Sequence, residues 1–187
     1  MTKHDIRLLG PLAVLAGIWE GSAGHDESPS DDRGLETNRY RERLVLEPIG
    51  LVENHEQQLQ GLRYATTAWR IGEPDAFHEE VGYWLWDAAR KQAMRTFIVP
   101  RGVSVIAGAT VEPDARSFTL SAVLGSPSYG ICSNQFLHEQ FRTVRYDVTI
   151  RVLGKDRFEY EEDTQMEMPG RKDVFHHTDA NTLERVG

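Results

Sequence analysis

A chain of 187 residues, 40% hydrophobic and 27% charged, is long enough to bury one substantial core and has the balance of an ordinary globular domain. A formal net charge of −8 and the lack of any Lys/Arg run argue against nucleic acid or an anionic membrane surface as partner, because both are held by clustered cations. No apolar run approaches the roughly 18 residues that a spanning helix needs. The single cysteine, Cys132, excludes an internal disulfide and is expected as a buried small hydrophobe.

From the N-terminus, Asp5 to Ala16 predicts one short helix. Asp5 can cap it, and Ile6, Leu9, Leu12 and Leu15 recur at helical spacing, interrupted by Gly10-Pro11. Asp5 stands where an export signal carries positive charge, and Arg7, Gly10 and Pro11 break the apolar run. The expected location is therefore the cytoplasm. Gly17-Ile18-Trp19-Glu20-Gly21 follows, with Trp19 expected to plug the closed end of whatever the strands build, and strand character runs from Gly17 to Gly24. His25 to Gly34 reads as a polar loop.

Period-two segments then continue almost to the end: Thr37 to Leu46, Leu51 to Leu59, Leu62 to Ile71, Phe77 to Trp86, Gln92 to Val99, Val103 to Val111 and Ser117 to Leu124. Turn-forming pieces such as Gly72-Glu73-Pro74-Asp75 and Pro100-Arg101-Gly102 separate them. The alternation is clearest from Thr143 to Leu153, where Val144, Tyr146, Val148, Ile150 and Val152 share one face. After Gly154-Lys155-Asp156 it returns in Arg157 to Met168, making a hairpin whose acids from Glu159 to Glu167 form a solvated face. Val174 to Arg185 closes the series.

About ten strands in consecutive hairpins, with no intervening helices and no linker, predict a single all-β domain over residues 1–187. It is an antiparallel up-and-down β-barrel of the lipocalin or fatty-acid-binding-protein type with a short N-terminal helix. Closure removes exposed edges, and a barrel of this size leaves room for a small hydrophobic ligand.

Several side chains are candidates to line that interior. His78 and Glu80 share a face with Gly82, Trp84 and Trp86; turned inward, His78 and Glu80 would be a polar anchor beside the apolar Trp84. Arg95, amid Met94, Thr96 and Phe97, could meet a ligand carboxylate or sit in a salt bridge on the barrel's exterior. His55 reads as a surface strand residue. No nucleophile with a base partner, no phosphate loop and no H-E-x-x-H motif is present, so a hydrolase is not expected.

Three motifs in order carry a resemblance: G-x-W-x-G at Gly17–Gly21, H-x-E-x-G-Y at His78–Tyr83, and a final segment His176-His177-Thr178-Asp179-Ala180 leading to Leu183-Glu184-Arg185. Together they resemble the nitrobindin family of haem-binding β-barrels, over nearly the whole chain. The resemblance implies a ten-stranded barrel holding haem b near its mouth. It also implies an iron ligand from the final strand: His177, with His176 as runner-up, since in an extended segment the two point to opposite sides. It further implies nitric oxide binding or peroxynitrite isomerisation at the iron; the enzymatic role is left open. Where nitrobindins carry a Tyr-Pro-Thr stretch beside the haem, this chain has His25-Asp26-Glu27-Ser28-Pro29-Ser30. A carrier or sensor for a fatty acid or similar lipid, without haem, is the alternative. Neither oligomeric state nor pathway follows from the sequence.

Overall fold

The computed structural model describes residues 5–187. A 3-10 helix, Ile6–Leu15, precedes the strands β1 Gly17–Pro29, β2 Leu35–Glu53, β3 Gln58–Arg70, β4 His78–Asp87, β5 Gln92–Val99, β6 Val103–Thr110, β7 Ser117–Val123 and β8 Ile131–Ser133. A short helix, α1 Gln135–Gln140, leads to β9 Arg142–Val152, β10 Arg157–Glu167 and β11 Phe175–Arg185. Every pairing is antiparallel. β1 pairs with both β2 and β11, and β5 pairs with β6, so ten strands close into a barrel. Three-residue β8 continues β6 as a partner beyond the point where β7 departs. β6 meets β7 only at Gly108↔Ser121, and its Val103–Val105 end pairs with β8 instead.

The predicted N-terminal helix is present in tighter form. Asp5 caps it, accepting from the Arg7 amide at 3.1 Å. Gly10, at φ 55°, and Pro11 break the backbone into two turns, which bring Leu9, Leu12 and Leu15 onto the barrel's floor. Gly10 is needed twice over: its φ favours glycine, and a Cβ there would lie 2.5 Å from the Trp86 ring. Gly10→Ala is expected to cost about 1–3 kcal/mol, read as a lower urea midpoint at unchanged slope. Trp19 is fully buried, packs edge-on against Phe158 at 4.7 Å and donates its indole N–H to the Leu15 carbonyl at 2.8 Å. From β11, Arg185 lies over the Trp19 ring and donates to the carbonyls of Val14 and Ala16, tying helix, first strand and last strand together.

Two predicted boundaries are corrected. His25–Pro29 is strand, not loop: β1 continues in register with β2 as far as Pro29↔Leu35, and only Ser30–Gly34 turns. Polar residues at four of the five positions hid the alternation. Leu51–Leu59 is not a strand of its own either. Its first residues continue β2 past an irregularity at Pro48/Gly50, and the turn that follows, with His55 exposed at φ 77°, leads into β3. Cys132 is exposed rather than buried, because on β8 it is Ile131 that takes the inward position.

The interior has two halves. Around the floor it is apolar, with Leu44, Leu46, Leu62, Trp84, Trp86, Ile150, Phe158 and Leu183 packed on the 3-10 helix side. Toward the open end, where β4 and β11 begin and β1 and β10 finish, the inward positions turn polar.

Candidate functional site

Strand parity decides which side chains reach the open half. On β4 the residues in phase with buried Trp84 and Trp86 are Glu80, buried, and His78, half-buried at the rim. The His78 face is therefore the inner one, and Glu79, Val81 and Tyr83 face out. On β5 Arg95 alternates with Ala93 and Phe97 and also points in. On β11 Phe175, His177, Asp179, Asn181 and Leu183 form the inner row, which leaves His176 exposed on the outer wall against Asp163 at 2.9 Å.

Three groups of polar side chains line this half. The first is centred on Arg95, whose side chain is 7% exposed. Its guanidinium donates to Glu80 at 2.6 Å, to Glu162, to the Tyr146 hydroxyl at 2.5 Å and to the Tyr64 hydroxyl at 3.3 Å. Arg95 is not on the exterior: it points inward, and its fork engages two protein carboxylates. Tyr64 donates to Glu80 at 2.8 Å and stands edge-on to Trp84. His78 Nε2 lies 3.2 Å from Glu80. Burial alone would depress His78, but the hydrogen bond and charge of Glu80, helped by Asp179 and Glu162, raise it above the usual imidazole value. His78 thus holds a proton more firmly than a free imidazole does.

The second group runs from Asp179 through Tyr40 and Tyr160 to Glu42. Tyr40 contacts Asp179 and lies 2.9 Å from the Tyr160 hydroxyl, and Tyr160 donates to Glu42 at 2.7 Å. Glu42 also accepts from Thr66 at 2.6 Å and Asn181 at 3.1 Å. Counting hydrogens calls for one proton beyond those of the two tyrosines. If both tyrosines gave their protons to carboxylates, the contact between them would have none. One proton at either end of the chain, on Asp179 or on Glu42, relayed through the two tyrosines, satisfies every link. Burial raises both ends above the ordinary carboxylate value, reinforced at Asp179 by the charges of Glu162, Glu42 and Asp26 and opposed at Glu42 by hydrogen bonds from Thr66, Tyr160 and Asn181.

The third group holds His177. Its Nε2 lies 2.8 Å from Asp26 Oδ1, and Asp26 Oδ2 accepts from Ser28 at 2.9 Å and Asn38 at 3.1 Å. Burial would raise Asp26, but His177, Asn38 and Ser28 together bring it below the usual value. The Nδ1 of His177 has no hydrogen-bond partner among the described residues. This half-buried imidazole at the mouth has the chemistry of a metal ligand, and its contact to Asp26 engages Nε2. Among the described residues no three His, Cys, Asp or Glu side chains converge to hold a bare metal ion, so a lone histidine suits an iron that brings its other donors with it.

The structure thus brings His78, Glu80, Arg95 and Trp84 into one inner wall and sets His177 across the mouth from it, with β3, β2 and β1 intervening. Sequence reasoning passed over Asp26, Glu42, Glu162 and Asp179. Three of them carried a signal, because Glu42 is in phase with Tyr40 and Leu44, Glu162 with Tyr160 and Thr164, and Asp179 with His177 and Asn181.

No helix among the described residues is long and apolar enough to cross a membrane. Comparison with curated proteins finds no match. Among solved structures, the crystal structure of Rv2717c from M. tuberculosis superposes with a TM-score of 0.62 at 18% identity, covering 97% of each chain, a likeness that speaks for the fold. A family model described as "THAP4-like, heme-binding beta-barrel domain" matches residues 8–185. With a closed ten-stranded barrel and a match over nearly its full length, the chain belongs to the THAP4-like haem-binding β-barrel family, the nitrobindin family that its sequence resembles.

Proposed function

We propose that the protein binds haem b across the open end of the barrel with His177 as axial ligand. The observation that carries this reading is the place of His177, half-buried on the inner row of β11 at the mouth of a barrel whose family model is described as haem-binding. His176, one residue away, faces outward and cannot share the role. When bound, the haem iron would supply a centre for nitric oxide binding and, in its ferric state, for peroxynitrite isomerisation.

The chain's own residues then have distinct tasks. His177 holds the iron from the β11 side. His78, whose hold on a proton Glu80 strengthens, offers a hydrogen-bond donor from the opposite wall, where it would orient an oxygen of a small ligand. Trp84 and the apolar floor beneath it keep water from the inner side. Arg95 holds Glu80 and Glu162 in place and is not free for a ligand. That last point weighs against the fatty-acid reading: an acid head group entering this half would meet Glu42, Glu80, Glu162 and Asp26 and find Arg95 already paired. Haem propionates at an open mouth can remain in water.

Titration of the purified protein with haemin tests the proposal. The expected result is a Soret band that is lost in His177→Ala and kept in His176→Ala. A band retained in both overturns the assignment. Saturable displacement of a fluorescent lipid probe without haem uptake would favour the lipid carrier.

A further inference from the structure

We infer that Asp26 is a latch on the iron ligand: in the free protein it occupies the nitrogen through which His177 would bind iron, so haem uptake has to break this contact and is weakened by it. The inference rests on the reading of His177 as axial ligand. It concerns a residue that lies where this chain departs from the Tyr-Pro-Thr stretch, so the resemblance assigns it no role.

The two nitrogens of the ring are not equivalent. Nδ1 sits beside the residue's own Cβ and backbone, where a macrocycle around the iron has no room, and Nε2 is the nitrogen that projects from the chain. Nε2 is the one engaged, 2.8 Å from Asp26 Oδ1. The carboxylate acts as acceptor: its other oxygen takes hydrogen bonds from Ser28 at 2.9 Å and Asn38 at 3.1 Å, and Oδ1 takes the N–H of the ring. A nitrogen that carries a hydrogen has no lone pair for iron. While this contact stands, the residues at the mouth do not fit a haem, and the ring has to turn away from Asp26 before it can ligate.

Of the two partners, the ring is the one able to leave. Asp26 lies opposite Asp179 on β11 and Asn38 on β2, with its side chain inward and buried. Asn38 is anchored in turn, its Oδ1 accepting from Arg70 Nε at 2.9 Å, so contacts from β3 through β2 hold the carboxylate whether or not the imidazole is present. The His177 side chain is 34% exposed against 7% for Asp26, and among the described residues it has no second hydrogen bond. A ligand that binds only the open arrangement has its affinity reduced by the fraction of molecules in that arrangement. For a hydrogen bond to a charged group the reduction is about tenfold or more.

The test uses the full chain and haemin. Asp26→Ala removes the latch and is expected to lower the haemin dissociation constant, read from the Soret band, by about tenfold. Asp26→Asn keeps the size and offers a neutral acceptor. It should lower the constant by less, and it serves as the test if the alanine variant does not fold. Asp163→Ala removes an acid that faces His176 on the outer wall, away from the latch. It should leave the constant unchanged, which separates release of the latch from a general loss of negative charge. A readout without haem comes from NMR of the isotopically labelled free protein. The Nε2–H of His177 should give a slowly exchanging imidazole resonance that is missing in both His177→Ala and Asp26→Ala. If His177→Ala abolishes the Soret band but Asp26→Ala takes up haemin no more tightly than the parent, the inference is overturned while the haem reading stands. A Soret band that survives His177→Ala overturns both.

Discussion

Replacing Arg95 with methionine is expected to lower the unfolding free energy at neutral pH by about 3–5 kcal/mol, the loss that follows when buried charges are left without their partner. Methionine occupies much of the space of the arginine stem, so the change reads charge more than volume. Arg95 stands between Glu80 and Glu162 inside the barrel. In the parent protein, burial pushes the Glu80 carboxyl upward, and Arg95, with help from His78 and Tyr64, more than reverses that and holds it at about 2. Glu80 therefore contributes stability that is fully present above its ordinary value of 4.5 and is lost as the pH falls from there toward 2. Without Arg95 the upward push of burial prevails. Glu80 then binds a proton on folding, and the penalty for doing so is largest at neutral pH and fades on acidification. The two effects add, so the gap between parent and variant should be widest near neutrality and close as the pH falls below 4.5. Urea unfolding at neutral pH and at about pH 4 measures the gap. A gap that does not change with pH would show that Arg95 is not what holds Glu80 ionised. The triple change Arg95→Met, Glu80→Gln, Glu162→Gln should recover most of the loss, since it removes the charges together with their partner.

That network also marks the limit of what the sequence could disclose. The barrel was legible because most strands bury one apolar face: Tyr146 to Val152 on β9 and the Trp84/Trp86 row on β4 alternate with less buried residues as the pleat requires. His177 and His176 could be assigned to opposite sides by parity alone. The acids of the inner wall were harder, because a carboxylate in an inward phase is stabilised by partners distant in the chain. Glu162 is held by Arg95, 67 residues away, and Asp26 by His177, 151 residues away. Read singly, each is a polar residue of the kind that normally faces water. His25–Pro29 failed for the same reason, since a strand whose inner position is an aspartate shows no hydrophobic alternation. Residues 131–133 and 135–140 are too short for either period to register.

At the floor the argument is one of packing, and the second large effect is expected there. Trp19→Ala should destabilise the protein by about 3–5 kcal/mol, the range for removing a large buried aromatic. Trp19 is the point where three chain segments meet. Its edge contact with Phe158 joins β1 to β10, its N–H holds the end of the 3-10 helix, and the Arg185 guanidinium rests on its ring at 4.2 Å. The loss should therefore divide into separable parts. Trp19→Phe retains the aromatic contact and gives up the hydrogen bond to Leu15, so it should cost about 1–3 kcal/mol for the carbonyl left unsatisfied. In Trp19→Ala the helix loses its side-chain anchor as well, and amide exchange across Ile6–Leu15 should quicken relative to the barrel strands. The same experiment separates floor from mouth. His177 on β11 and Asp26 on β1 lie at the opposite end, so a Trp19→Phe protein that remains folded should take up haemin with the parent's affinity. Loss of uptake in that variant would show that the plug shapes the ligand site, and the division of the interior into an apolar floor and a polar mouth would not extend to function.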